Sequence, residues 1–473
     1  MLNLQFIESD TSSTRTNGAV PTMRAQCAAT TRDDGKIRHR FWRFGLALAL
    51  LLAILLPGRW MAQARSTDSK LPFGHDLLPS YTAGALIRQG NALGMYHRQA
   101  METFEAQTID SAKLGMEKRY GAWLNPPFFA WFFVPFSMLP YRAALWTFAS
   151  LNLIMLCCSI VVLRKTLVLD ARRSLPISAP PSIPIAIWGL IPLLLVVAYP
   201  TVQATGHQQN TFISLLLLCG SVALARRGAT FAAGLVAGIL FFKPQLAVVV
   251  AVALAVLFGW RALAGMALTG LALLLITLIT LPGCLSEFRS QLPLIIHYLQ
   301  QEAPYHWGRQ VTFQSFWRIL IQGHEPAETL PIVRLLTLAC SAGFLAALAW
   351  AVIRNLKNPG GAIERDRLLS AAIVTMPLVM PYYMDYDLVL LAVPAVLLAR
   401  EWVTCAAEPR SRSDRSLLAA WFIFYVATFA NPALAEQTRI NLTVAALAGV
   451  AGLSIARCYN AGPCRYPMRT ANI

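Results

Sequence analysis

The chain has 473 residues, 56% of them apolar and only 13% charged, and its mean hydropathy is +0.52. A soluble domain carries roughly a quarter charged residues, so this balance excludes one and marks a polytopic membrane protein. The net charge of +17 would suit a nucleic-acid binder, but the excess gathers in the N-terminal tail and in short loops; membrane topology accounts for it there, and no nucleic-acid partner is implied.

In chain order, residues 1–40 are polar, lack apolar periodicity and read as a disordered cytoplasmic tail. The basic stretch Lys36-Ile37-Arg38-His39-Arg40 precedes a first crossing, Phe44 to Leu56, which reads as a retained anchor with the N-terminus inside. Residues 58–125 form a first outer loop long enough to carry function. It holds Gly74-His75-Asp76 and then Tyr81 to Gln89, which reads as an amphipathic, interfacial helix ended by Gly90. Asp76 precedes that helix and is either its N-terminal cap or a functional carboxylate.

Prolines punctuate Pro126 to Pro140, which reads as a re-entrant or interfacial hairpin, leaving Ala143 to Leu163 as the second crossing. With that choice the later basic clusters, among them Arg226-Arg227, Arg354 to Arg367, Arg400 to Arg415 and Arg457 to Arg469, all fall inside. The chain is then an all-α protein of about twelve transmembrane helices, several of them short and bent. Both termini are expected in the cytoplasm of a bacterial-type plasma membrane, with the tail from residue 458 inside. Cys157-Cys158, Cys219, Cys284 and Cys340 sit in or beside apolar helices as small packing residues.

The threading gathers polar blocks on the outer side, including six of the seven histidines. Gly206-His207-Gln208-Gln209-Asn210 opens a helix near Thr211; these residues either cap it or hold a phosphate or sugar at its positive end. Phe241-Phe242-Lys243-Pro244-Gln245 breaks an apolar stretch, and two short helices meeting at Lys243 explain both the lysine and the proline. A second large outer loop, 282–330, carries His297, His306-Trp307-Gly308-Arg309-Gln310 and Gln314-Ser315. Its imidazole, guanidinium and amide groups suit phosphates and sugars, while Trp and Arg also serve as interfacial anchors. Pro381-Tyr382-Tyr383-Met384-Asp385-Tyr386-Asp387 then sets two carboxylates and three phenols at the rim of another span.

In this order the blocks Asp76 to Tyr96, Asn125-Pro126-Pro127-Phe128, Gly206 to Asn210, Lys243-Pro244-Gln245, Gln314-Ser315 and Pro381 to Leu388 resemble glycosyltransferase family 87, membrane transferases of the GT-C architecture. The resemblance covers residues 41–457. It departs at the Gly206-His207-Gln208-Gln209 run, where a glutamine replaces a common glycine, and at His97, where an aspartate is frequent. It implies a GT-C-like bundle that moves a hexose, mannose in better-known members, from a polyprenyl-phosphate carrier to a hydroxyl of a glycan or glycolipid on the outer face. Asp76 takes the position of the general base. The expected phosphate-binding cations are Lys243, His207 and Arg309, and the expected substrate-binding residues are Gln208, Asn210, Gln245, His306, Gln314, Ser315, Tyr383, Asp385 and Asp387. No cofactor is implied; Asp76, Asp385 and Asp387 could meet around a divalent metal, but their spacing does not establish one. The absence of Rossmann or Walker motifs fits a donor that brings its own lipid. A transporter or flippase for a lipid-linked sugar is the alternative, and the lack of a duplicated half weighs against it.

Overall fold

A computed structural model describes residues 73–114, 120–174, 192–357, 361–404 and 411–460. The tail 1–40, the crossing expected at Phe44 to Leu56 and the chain beyond Asn460 lie outside the described residues. Those residues are helical apart from turns and one isolated antiparallel bridge, Gln310 with Met384.

Five helices are long and apolar enough to cross a bilayer: Tyr141–Thr166, Trp260–Thr280, Pro331–Lys357, Arg412–Thr438 and Leu442–Tyr459. The 21 residues of Trp260–Thr280 span about 31 Å, one hydrocarbon thickness. Their large apolar side chains point outward, Ile279 being 76% and Leu338 67% exposed, as a lipid-facing surface requires. Four further apolar helices, Pro127–Ser137, Thr211–Arg226, Thr230–Phe242 and Pro244–Phe258, are shorter than a full crossing.

Pro127–Ser137 covers only about 16 Å and contains a 3-10 turn, Trp131–Phe133, a length shorter than the hydrocarbon thickness. Its rings join the core: Phe129 stacks on Phe242 at 4.3 Å, and Phe133 and Trp123 are buried. The expected interfacial helix differs from its sequence reading. The helix runs Leu77–Arg88, and Leu77, Leu78 and the whole stretch Tyr81 to Ile87 are buried. Small residues on its faces let it pack inside the fold instead of along a surface, which sinks Asp76 into the protein.

Thr230–Gly238 and Trp260–Thr280 approach until only glycine fits. A Cβ on Gly234 would lie 1.9 Å from the Ala262 carbonyl oxygen, and one on Gly265 would lie 2.2 Å from that of Phe231. This contact anchors the broken helix that carries Lys243.

Polar residues collect at two ends. Thr211–Arg226 starts beside Asp387, through the bond from Thr211 Oγ1, and ends about 22 Å away at Arg226. There Arg226 and Arg400 flank Asp366, and Arg367 and Arg457 share Glu401. A cavity of about 400 Å³ lined by Arg226, Arg365, Asp366 and Arg400 lies at this end. Arg226, Arg365, Arg367, Arg400 and Arg457, which threading assigns to one side of the membrane, thus gather at one end of the bundle.

Candidate active site

The site begins with a turn, not a helix. Gly74 has φ +76°, a backbone conformation that favours glycine, and a Cβ there would also press on Leu145 Cδ1 at 2.2 Å. The Gly74 N–H donates to the Gly206 carbonyl at 2.8 Å, and Tyr141 Oη donates to the Gly74 carbonyl at 3.2 Å. These bonds tie the turn to the end of helix Tyr199–His207 and set His75 and Asp76 against His207. Asp76 occupies the N-cap position of its helix without a side-chain capping bond, so its carboxylate is directed elsewhere.

That carboxylate meets His75 Nε2 at 3.0 Å through Oδ1, and His207 Nδ1 at 3.1 Å through Oδ2. Gln209 Nε2 also donates to Oδ2 at 2.6 Å. The two rings are in contact, His207 Nδ1 and His75 Nε2 lying 3.2 Å apart, and His207 Nε2 faces Gln203 Oε1 at 3.0 Å. Asp76 remains 30% exposed, so the recess is open to solvent. Burial pushes the Asp76 carboxyl up, but the hydrogen bonds and charge of His207 and His75 outweigh it and hold the group well below the usual carboxylate range. Burial, followed by the Arg309 charge, pushes His207 down, and its contacts with Asp76 offset only part of this. An ionised carboxylate therefore faces a neutral His207 near neutral pH.

The Gln310–Met384 bridge and the Val311 N–H to Tyr383 carbonyl bond of 2.7 Å hold the second outer loop against the Pro381 segment. They place Arg309 beside Asp385, which it grips through Nε at 3.1 Å and Nη2 at 3.0 Å. The guanidinium lies 5.9 Å from the Tyr386 ring centroid, and that ring lies 6.3 Å from His207, so Arg309 flanks the same recess. Beyond the turn, Lys243 Nζ donates to Asp387 Oδ1 at 2.7 Å, and Thr211 Oγ1 reaches the same oxygen at 2.6 Å. As the sequence predicts, Lys243 stands between two helices: it leaves helical geometry with φ −119° and ψ 81°, and Pro244 opens the next helix at N1.

The structure brings Asp76, His207, Arg309 and Asp385 together, with Lys243 and Asp387 adjoining. Asp385 and Asp387 are paired with cations and do not join Asp76 around a metal; Asp76 instead meets His75 and His207. Several expected substrate-binding residues are engaged elsewhere. Gln208, 2% exposed, accepts from Asn152 Nδ2 and donates to the Thr205 carbonyl. Ser315 is fully buried in a capping box with Thr312, and the Tyr383 hydroxyl donates to the Asp387 carbonyl. Asn210 is buried at the start of helix Thr211–Arg226 without capping it, and its Oδ1 has no hydrogen-bond partner among the described residues. Gln245 and Gln314 are half-buried, and His306 is exposed. Gln203 escaped the sequence reading; Gln209 belonged to the polar run read as a cap or a phosphate or sugar site, and His75 was named beside Asp76 without a role of its own.

A family model described as glycosyltransferase family 87 matches residues 123–381, more than half of the chain. The chain belongs to glycosyltransferase family 87. It is a membrane glycosyltransferase, which sets aside the transporter reading. His207, Lys243 and Arg309 lie within the matched residues, whereas Asp76 and the Asp385 to Asp387 run lie outside them. No curated protein and no solved structure matches the chain.

Proposed function

We propose that this transferase moves a hexose, with mannose the first choice, from a polyprenyl-phosphate carrier to a hydroxyl of a glycan or glycolipid on the outer face of a bacterial-type plasma membrane. The observation that carries the reading is the recess in which an ionised, solvent-reached Asp76 faces the Arg309 guanidinium across His207 and Tyr386. A glycosyl transfer needs those two charges in one place: a base for the acceptor proton and a cation for the departing phosphate.

In the proposed reaction the acceptor oxygen attacks the anomeric carbon from the face opposite the phosphate, and the configuration inverts. Its proton passes to Asp76, whose carboxylate is oriented by Gln209 and the two histidines. The bond to the phosphate oxygen breaks, and the electron pair leaves with polyprenyl phosphate. Arg309 grips Asp385 through Nε and Nη2, leaving Nη1 for a phosphate oxygen. Lys243 acts mainly through Asp387, as a buried pair that fixes the Asp385 to Leu391 turn, so its contribution to the phosphate is indirect.

Transfer from a radiolabelled polyprenyl-phosphate hexose in membranes tests this. Asp76→Asn, which keeps the shape and can still meet Gln209, is expected to lower the rate about 10²- to 10⁴-fold. Undiminished transfer by folded Asp76→Asn protein would remove Asp76 as the base.

A further inference from the structure

We infer that His75, Asp76 and His207 form a binding site for a first-row divalent cation of the Zn²⁺ or Mn²⁺ type. Taking one donor atom from each residue, the three lie within 4.8 Å of one another, close enough to converge on one ion. His75 Nε2 lies 3.0 Å from Asp76 Oδ1, His207 Nδ1 lies 3.1 Å from Asp76 Oδ2, and the two ring nitrogens lie 3.2 Å apart. Atoms bound to one ion at about 2.0–2.1 Å stand roughly 3.0–3.4 Å from one another at octahedral to tetrahedral angles. The two ring nitrogens and one of the two Asp76 oxygens on one side of an ion make a two-histidine, one-carboxylate face with its other positions open, and the second oxygen stays outside it.

The surroundings prepare these atoms as ligands. Gln203 Oε1 lies 3.0 Å from His207 Nε2 and accepts a hydrogen bond from it in the tautomer that binds an ion, in which Nδ1, the hydrogen-bond partner of Asp76 in the metal-free chain, presents its lone pair. Gln209 Nε2 orients the carboxylate at 2.6 Å. The charges agree. Asp385 and Asp387 are matched by Arg309 and Lys243, whereas the described partners of Asp76 are two imidazoles and an amide. Arg309 opposes a cation from across Tyr386, but its charge is shared with Asp385. Two imidazoles in a set of three favour a transition ion over Mg²⁺ or Ca²⁺, which prefer oxygen alone. Asp76 is 30% exposed, so solvent and substrate reach the group, and an ion held there polarises a hydroxyl or phosphate oxygen while occupying a carboxylate oxygen of Asp76. The inference deepens the reading of that recess but rests on ligand geometry, not on the proposed donor.

The full chain, purified in detergent and stripped with a chelator, is titrated with Zn²⁺ by calorimetry and with Co²⁺ by visible absorption. One equivalent is expected to bind with the absorption of a histidine-ligated ion. His75→Ala and His207→Ala should each weaken binding at least tenfold, and His97→Ala, at an exposed histidine, should leave it unchanged. Gln203→Leu leaves all three ligands in place and is expected to weaken binding about 10- to 100-fold, which keeps the test decisive where a ligand variant misfolds. Binding of neither ion by the wild type, or equal binding by the wild type and Gln203→Leu, would overturn the site. No sugar enters the measurement, so loss of the proposed transfer and loss of the cation site are separate outcomes.

Discussion

At the level of single residues, the carboxylates of this protein differ by their partners. Asp387 is buried and charge-paired, with 10% of its side chain exposed against 13% for Lys243. Lys243→Met strands that carboxylate and is expected to cost about 3–5 kcal/mol, whereas Lys243→Met with Asp387→Asn should recover most of the loss in thermal melting. An outcome in which the double variant melts no higher than the single one would show that the pair is not the source. Glu105, 1% exposed on helix Arg98–Ala112, is a different case. Burial pushes its carboxyl up to about 8 despite the Gly121 N–H that donates to it, with Glu102 nearby adding to the rise. The folded chain keeps a proton that the unfolded chain releases above the ordinary value of 4.5, so stability is greatest below that value and falls as pH rises toward about 8. Glu105→Gln retains an acceptor for Gly121 and should flatten the melting temperature between these limits; an unchanged slope would count against the assignment.

Among the elements, the turn at Gly74 decides where Asp76 stands. Gly74→Ala places a methyl group against Leu145 and forces an L-residue to φ +76°, so the His75-Asp76 pair must move from His207. A displacement near 1 Å at a reacting group costs about a hundredfold in rate, so transfer should fall by that order while the protein stays folded. Full activity of Gly74→Ala would mean that the turn relaxes without moving Asp76. The same scale shows where reading the chain failed. Tyr81 to Gln89 read as a surface helix because polar residues flank it, but it is buried because the Pro127–Ser137 element supplies a second apolar wall. The Lys243-Pro244 break was legible, because a charge and a missing N–H within an apolar run have few other solutions. The Ser315 and Tyr383 hydroxyls satisfy backbone groups close in sequence, a use that spacing alone does not separate from binding.

Over the whole molecule, the bundle separates two polar ends across its apolar middle. Positive-inside logic puts Arg227 in the cytoplasm and His306 outside, and both are exposed. A membrane-impermeant maleimide on intact cells, corrected for the native cysteines, should label His306→Cys and reach Arg227→Cys only after permeabilisation. The reverse pattern would invert the topology and move the Asp76 recess to the cytoplasm.

The amino-acid order alone determined that this is a helical membrane protein with a broken helix at Lys243 and ordered polar blocks, because hydropathy and proline act locally and survive in any packing. Which block faces which was decided by the tertiary structure. The bond from Gly74 to Gly206, the pairing of Arg309 with Asp385 and of Lys243 with Asp387, and the gathering of His75, Asp76 and His207 all join residues far apart in sequence. Each depends on backbone turns and helix contacts that no single segment specifies by itself.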